Sequence, residues 1–253
     1  MEFQTSPIVI VMAATSAPLR VEIWSDVVCP WCYIGKRRFE RAVDQLDGEI
    51  DVDISFRPFQ LDPTASPGKT EPVLHAYAKK FGGEEQARRI IDRVTASAAE
   101  DGLEFRMDWA LRANTQLAHR LIWLAEQAGS PVTQDAVKER LLQAYFIDGL
   151  DIGNPEVLAD CAAQVGLDRA QALGFLDSDR GRAEVATQIA QAAEFGISAV
   201  PTYVIDGRWA IPGAQNTETF VRILRQLTDR IAAQANESTA NDVKEPGDDG
   251  GET

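Results

Sequence analysis

The sequence predicts an α/β fold in which a small sheet-and-helix core is cut in two by a large all-helical insertion. Three observations carry this prediction. A strand–helix–strand unit occupies residues 19–61, a strand–strand–helix unit occupies residues 197–235, and the pattern between them is helical almost throughout. Removing residues 62–196 leaves β-α-β followed by β-β-α, which can close around one mixed sheet flanked by helices.

The first strand is read from "LRVEIWSDVV" (19–28), where apolar residues alternate and Val, Ile and Trp recur. Pro30 then suits the first turn of a helix, where its missing N–H costs nothing. That helix continues through "WCYIGKRRFERAVDQL" with Ile34, Phe39, Val43 and Leu46 on one side. Lys36, Arg37, Arg38 and Arg41 read as its solvated face. "DVDISFRPFQL" (51–61) alternates with period two and gives the second strand. A helix of this length allows a right-handed parallel crossover.

The insertion opens on a loop, "DPTASPGKTEP", rich in Pro, Ser, Thr and Gly. Helical patterns follow in "PVLHAYAKKFG", "EEQARRIIDRVTASAAEDG", "NTQLAHRLIWLAEQAG", "DAVKERLLQAYFIDG", "NPEVLADCAAQVG", "DRAQALGFL" and "RAEVATQIAQAAEFG", with "LEFRMD" as a short extended link. Most close on glycine. No motif recurs at a fixed spacing, so no solenoid is expected. "AVPTYVID" (199–206) returns to a strand pattern with Pro201 at its start. Asp206-Gly207 marks a hairpin turn, "RWAIPG" the paired strand, and "NTETFVRILRQLTDRIAAQ" a final amphipathic helix.

Charge is uneven along the chain. Of the net −14, residues 236–253 carry −5, from six acids against Lys244. This stretch lacks apolar periodicity and is expected to be a disordered, solubilising tail, with residues 1–18 a disordered extension at the other end. The acidic body argues against nucleic acid or an anionic membrane as a partner. No apolar run approaches the ~18 residues that span a bilayer. "SPIVIVMAATSA" lacks the basic residues that open an export signal, so a cytoplasmic setting is expected. Nothing chooses between a monomer and a homodimer.

Chemistry concentrates in "SDVVCPWCYIGK", which holds Cys29 and Cys32. Three readings are open to the pair: buried reduced thiols, half of a zinc site, or a redox couple. Buried thiols would lie on the apolar stripe of the helix, whereas this pair opens it. Structural zinc wants four ligands, and Cys161, His75 and His119 form no ligand-like pair, so no metal is expected. Redox chemistry fits the local physics. Residues three apart on a helix share a face, and tightening the first turn brings two sulfurs within disulfide reach. Cys29 would stand where unpaired N–H groups favour an anion. Cys32, one turn inside, is the better shielded candidate to resolve a mixed disulfide.

Several side chains around the motif have two readings. Asp26 is a possible proton-transfer group or a turn aspartate. Trp24 reads as core, and Trp31 as a surface contact for substrate. Cys161, among small apolar residues, reads as a buried structural thiol ahead of a redox role. His119 invites a catalytic reading because histidine is so rare in the chain, and an interhelical contact beside a capping Asn114 explains it without catalysis.

"WSDVVCPWCYIGKRR" together with "GISAVPTYVIDG" resembles the DsbA-like thiol–disulfide oxidoreductases, in particular their FrnE-type branch. The similarity runs over residues 19–232. It implies a thioredoxin-like fold with a helical insertion, Cys29 attacking, and Cys32 resolving. It also implies a cis Val200–Pro201 peptide beside the pair, so that Pro30, Trp31, Val200 and Pro201 contact the substrate. Protein or small-molecule thiols and disulfides are the implied partners. The Cys29–Cys32 disulfide itself is the redox group, with no separate cofactor, and a low-molecular-weight thiol is a candidate co-substrate. Pro30-Trp31 supplies no histidine, so a weaker oxidant than periplasmic DsbA, at about −120 mV, is expected. Related kappa-class glutathione transferases and hydroxychromene-carboxylate isomerases generally have serine where Cys29 stands. A glutathione-dependent isomerase and a chaperone-like binding module are the alternatives.

Overall fold

Strand β1 (Leu19–Ser25) leads through a short turn into α1 (Pro30–Gln45) and then β2 (Val52–Pro58). The structure, a computed structural model, describes residues 17–127 and 129–242, with side chains as far as residue 234. β1 and β2 pair in parallel, Leu19 opposite Val52 and Ser25 opposite Pro58. The insertion contributes β3 (Glu71–Pro72), α2 (Val73–Phe81), α3 (Glu84–Glu100), β4 (Leu111–Arg112), α4 (Gln116–Glu126) and α5 (Gln134–Phe146). It continues with α6 (Pro155–Gln164), α7 (Arg169–Asp177) and α8 (Arg182–Glu194). The chain then returns through β5 (Thr202–Ile205), β6 (Trp209–Pro212) and α9 (Thr217–Asp242).

The main sheet has the order β2-β1-β5-β6, with β5 antiparallel to both β1 and β6. This is the mixed sheet expected from the sequence. At the hairpin, Asp206 and Gly207 both adopt positive φ, 48° and 67°, and the Arg208 N–H donates to the Ile205 carbonyl at 2.9 Å. Strand alternation sorts the two faces. Val21, Ile23, Tyr203, Ile205 and Ile211 meet Phe39 of α1 and Phe220 and Leu224 of α9 in one core. Trp24 and Val204 face the other way, toward Ala192 of α8 and Ile197.

Helix ends follow the local chemistry. Thr133, Asn154 and Asp168 accept backbone N–H groups at the starts of α5, α6 and α7, at 3.1, 2.9 and 2.8 Å. Arg120 of α4 is buried and donates to the carbonyls of Phe175, Leu176, Ser178 and Arg180, which ties α4 to the α7–α8 connection.

Four expectations need correction. The first strand ends at Ser25, before the turn at Val27 and Val28, and the second ends at Pro58, after which Phe59 and Gln60 leave the strand. β3 and β4 pair over two residues, too short for any periodicity to reveal them. The basic side of α1 is a solvated face only at Arg41. Lys36 is only 4% exposed and meets Glu40, Asp135 and Glu139, while Arg37 pairs with Glu40 and Glu139. Arg38 and Arg41 share Asp101 at the end of α3. These pairs clamp α1 to the inserted helices. Lastly, α9 runs on to Asp242, past residue 235, with no glycine or proline before Pro246 to stop it. The expected disorder of residues 1–16 and 243–253 lies outside the described residues.

Candidate active site

Cys29 is the residue that caps α1. Its backbone is extended (φ −89°, ψ 114°), and Pro30 begins the helix. The Cys29 N–H donates to the Asp26 carbonyl at 3.3 Å, and the Cys32 N–H donates to the Cys29 carbonyl at 3.0 Å. One tight turn therefore carries both sulfurs, with Cys29 at the positive end of the helix dipole. Both thiols are free, and they are 2% and 3% exposed. Cys32 is thus no better shielded than Cys29. What marks Cys32 is its surroundings. Burial pushes its thiol well above the usual thiol range, and the neighbouring Cys29 adds to this; the Lys138 ammonium works against it.

The second wall of the site arrives from the far end of the insertion. The Val200–Pro201 peptide is cis, and the Cys29 Sγ lies 3.7 Å from the Val200 carbonyl oxygen. Close approach of α1 to this loop depends on Gly35. A Cβ there would stand 2.6 Å from the Tyr203 hydroxyl and 3.1 Å from Pro201 Cγ. Pro30 and Pro201 are buried, whereas Trp31 and Val200 are half-buried beside the pair.

Asp26 is fully buried beneath the cysteine turn. Its Oδ1 accepts the Val27 N–H at 2.8 Å and its Oδ2 accepts the Leu61 N–H at 2.8 Å. The Nε2 of His119 lies 3.1 Å from the same Oδ1 and 3.0 Å from the Phe59 carbonyl. His119 is therefore more than an interhelical contact, since it reaches the carboxylate behind the cysteines. Asn114 does act at the start of α4, accepting the Gln116 N–H at 3.0 Å.

Lys138 of α5 completes this buried polar group. It is 2% exposed, its Nζ sits 5.8 Å from the centre of the Phe56 ring, and burial lowers its pKa against the charges of Cys32, Asp26 and Cys29. Among the described residues no carboxylate lies within ion-pair distance of it, unlike Lys36. The signal for Lys138 was in the sequence: it stands three, four and seven residues before Leu141, Leu142 and Tyr145, on the buried stripe of its helix. A lysine there is expensive and calls for a partner. Tyr77 of α2 was also missed. Burial and the nearby Cys29 push its hydroxyl up to about 12.

The remaining candidates fall away from the pair. Cys161 is buried in α6 and its thiol is raised by burial. Trp24 packs with α8 on the opposite face of the sheet. Among the described residues no three His, Cys, Asp or Glu side chains are grouped to hold a metal, and no helix is long and apolar enough to cross a membrane.

Comparison with known proteins agrees with this fold. The protein YwbO of Bacillus subtilis is 28% identical over 215 residues, covering 81% of this chain and 96% of its own. The crystal structure of a probable DsbA oxidoreductase, SCO1869 from Streptomyces coelicolor, superposes with a TM-score of 0.75 at 34% identity, covering 82% of this chain and 89% of that one. The cytosolic disulfide reductase DsbM from Pseudomonas aeruginosa, solved with GSH, shares the fold, with a TM-score of 0.58 at 17% identity over 83% of this chain and all of its own. The family model for the DSBA-like thioredoxin domain matches residues 20–225. With its cysteine turn, cis-proline loop and interrupted mixed sheet, the chain belongs to the DSBA-like thioredoxin domain family.

Proposed function

We propose that this protein is a thiol–disulfide oxidoreductase that acts on protein or small-molecule disulfides through a mixed disulfide at Cys29. The observation that carries this reading is the position of Cys29, at the cap of α1 and 3.7 Å from the Val200 carbonyl beside a cis proline. In the reductive direction the Cys29 thiolate attacks a substrate disulfide, and the substrate's other sulfur leaves as a thiolate and takes up a proton. Cys32 then gives up its proton and attacks the Cys29 sulfur. The Cys29–Cys32 disulfide forms, the second substrate sulfur is released, and two electrons have passed to the substrate. Run backward, the same steps oxidise a substrate dithiol. A low-molecular-weight thiol serves as co-substrate that resets the pair, and no further cofactor is required.

Buried Lys138 opposes the desolvation that holds the Cys32 proton in place. Asp26 is assigned a positioning role, since backbone N–H groups and His119 already occupy both its oxygens. A cytoplasmic setting is part of the reading. Insulin reduction by the wild type and by Cys29→Ser tests it: activity should fall to background in the variant, and activity that survives refutes the proposal. Cys32→Ser should instead accumulate the mixed disulfide, which a glutathione-dependent isomerase would have no need to resolve.

A further inference from the structure

The face of the sheet turned away from the cysteine turn carries an open cavity of about 670 Å³, with β1 and β2 on one side and α8 on the other. That volume falls within the range of small-ligand sites. Trp24 lines it from β1, Trp123 from α4, and Phe195 from the end of α8. Trp24 is 2% exposed, and its indole Nε1–H is buried without an acceptor. A donor in that state costs free energy that an acceptor would recover. Phe195 is the reverse case. It is 64% exposed, the most open of the four large apolar side chains left on the described surface, and its ring centre stands 6.0 Å from that of Trp24. An exposed side chain changes rotamer within nanoseconds, so this ring can admit a flat molecule to the indole beneath it.

The polar groups of the cavity set the chemistry of its ligand. Glu184, Gln188 and Gln191 fall on one stripe of α8 that ends at Phe195. Among the described residues none of these three side chains has a partner. The cation that lines the cavity, Arg57, is already held by Glu22 at 2.7 Å and Glu126 at 2.9 Å. Glu184 adds a further carboxylate, so the surroundings are acidic and disfavour a phosphate or carboxylate ligand. What fits is a flat ring whose edge accepts from Trp24 and donates to the glutamine oxygens, with its faces against the aromatic walls.

We propose that this cavity binds an uncharged purine-type heterocycle, as the free base or its nucleoside. A ring nitrogen of the base accepts the Trp24 Nε1–H, its exocyclic amine donates to the side-chain oxygen of Gln188 or Gln191, and Phe195 closes over its face. A hydrocarbon ring offers no such acceptor and would leave the indole N–H as it is. A ribose on the base runs along the α8 stripe toward Thr187, and a phosphate beyond it would meet Glu184. Trp24 and the cysteine turn lie on opposite faces of the sheet, so this binding is separate from thiol–disulfide exchange and does not depend on it.

The probe is 2-aminopurine, whose fluorescence is quenched when it stacks on an aromatic ring. Titration with the full chain should quench it saturably, and adenosine should displace it. AMP should compete roughly fivefold more weakly than adenosine, because its phosphate meets like charge. Trp24→Phe keeps a ring and removes the N–H, and should weaken 2-aminopurine about tenfold, the value of one recovered hydrogen bond. Phe195→Ala removes a ring at an exposed position and should weaken binding roughly fivefold; circular dichroism checks the fold of both variants. Cys29→Ser should bind as the wild type does. Absence of saturable quenching, AMP competing as well as adenosine, an affinity unchanged in either aromatic variant, or loss of binding in Cys29→Ser would each overturn the proposal while leaving the oxidoreductase reading standing.

Discussion

His119 and Asp26 meet at 3.1 Å through one imidazole nitrogen, which also lies 3.0 Å from the Phe59 carbonyl. Both neighbours are acceptors, so this nitrogen carries a proton. A single N–H from the inserted helix α4 thereby joins the turn that carries the cysteines to the loop after β2. The cysteine turn is shaped by the insertion as well as by the sheet it grows from.

Replacing Asp26 by asparagine keeps the volume and swaps an acceptor for a donor among three donors. A buried donor left without an acceptor costs about 2 kcal/mol. Urea denaturation of Asp26→Asn should show that loss at an unchanged m-value. A midpoint equal to the wild type would mean that the carboxylate does not hold the loops together.

Removing the charge of Lys138 should be felt at Cys32. Burial and Cys29 raise this thiol, and Lys138 lowers it, so Lys138→Met leaves the proton more firmly held. Each pKa unit upward cuts the thiolate fraction about tenfold at neutral pH. Resolution of a preformed mixed disulfide is expected to slow about tenfold at pH 7, with its pH profile displaced to higher pH and Lys138→Arg recovering most of the rate. Superimposable profiles for wild type and Lys138→Met would show that the charge does not reach the sulfur.

The clamp between α1 and α5 makes stability depend on acid. Burial alone would raise the Glu139 carboxyl, yet the Arg37 hydrogen bond and the Lys36 charge outweigh it and bring the pKa from 4.5 to about 2. A depressed carboxylate stabilises the fold fully above its unfolded pKa, and this contribution is lost as the pH falls from 4.5 toward 2. Glu139→Gln should cost about 3 kcal/mol at pH 7, since it leaves buried cations short of a partner. The gap between the two proteins should then narrow in urea melts at pH 4 and nearly close near pH 2. A gap independent of pH would point to packing instead of charge.

Gly35 offers a test of sign. In an open helix, alanine is better than glycine by about 1 kcal/mol. Here the added methyl would meet the Tyr203 hydroxyl at 2.6 Å, inside a core where that side chain is fully buried. Overpacking of this kind costs about 2 kcal/mol. Gly35→Ala should therefore lower the melting temperature and also slow exchange, because it drives Cys29 away from Val200. A more stable variant would show that α1 does not press on the proline loop.

How far the sequence revealed these features depended on whether one element was enough to display them. Helix α1 was legible because Pro30 marks its start and Ile34, Phe39 and Leu46 mark its buried side within one stretch of chain. The central strands were legible through their alternation, and the cysteine turn through its spacing. The basic residues of α1 were misread because their partners, Asp101, Asp135 and Glu139, lie on other helices, and a single helix cannot show which charges it will find. His119 hid for the same reason, since it reads locally as a polar residue in a helix and only the packing of α4 under the cysteine turn gives it a role. Lys138 was legible as a lysine on the buried stripe of α5, but which groups it faces was not. The two-residue pairing of β3 and β4 leaves no pattern at all.

Cys29 and the Val200 carbonyl beside it stand 171 residues apart in the chain. A ribosome adds about 5–20 residues each second, so Cys29 leaves the exit tunnel about 10–30 s before Val200 follows it. Throughout that interval both thiols ride on a nascent chain whose sheet lacks β5 and β6. The helices made in the meantime, α4 and α5 among them, are those that later grip the cysteine turn. The two sulfurs are therefore at their most open to oxidants during synthesis, before the fold that governs them exists.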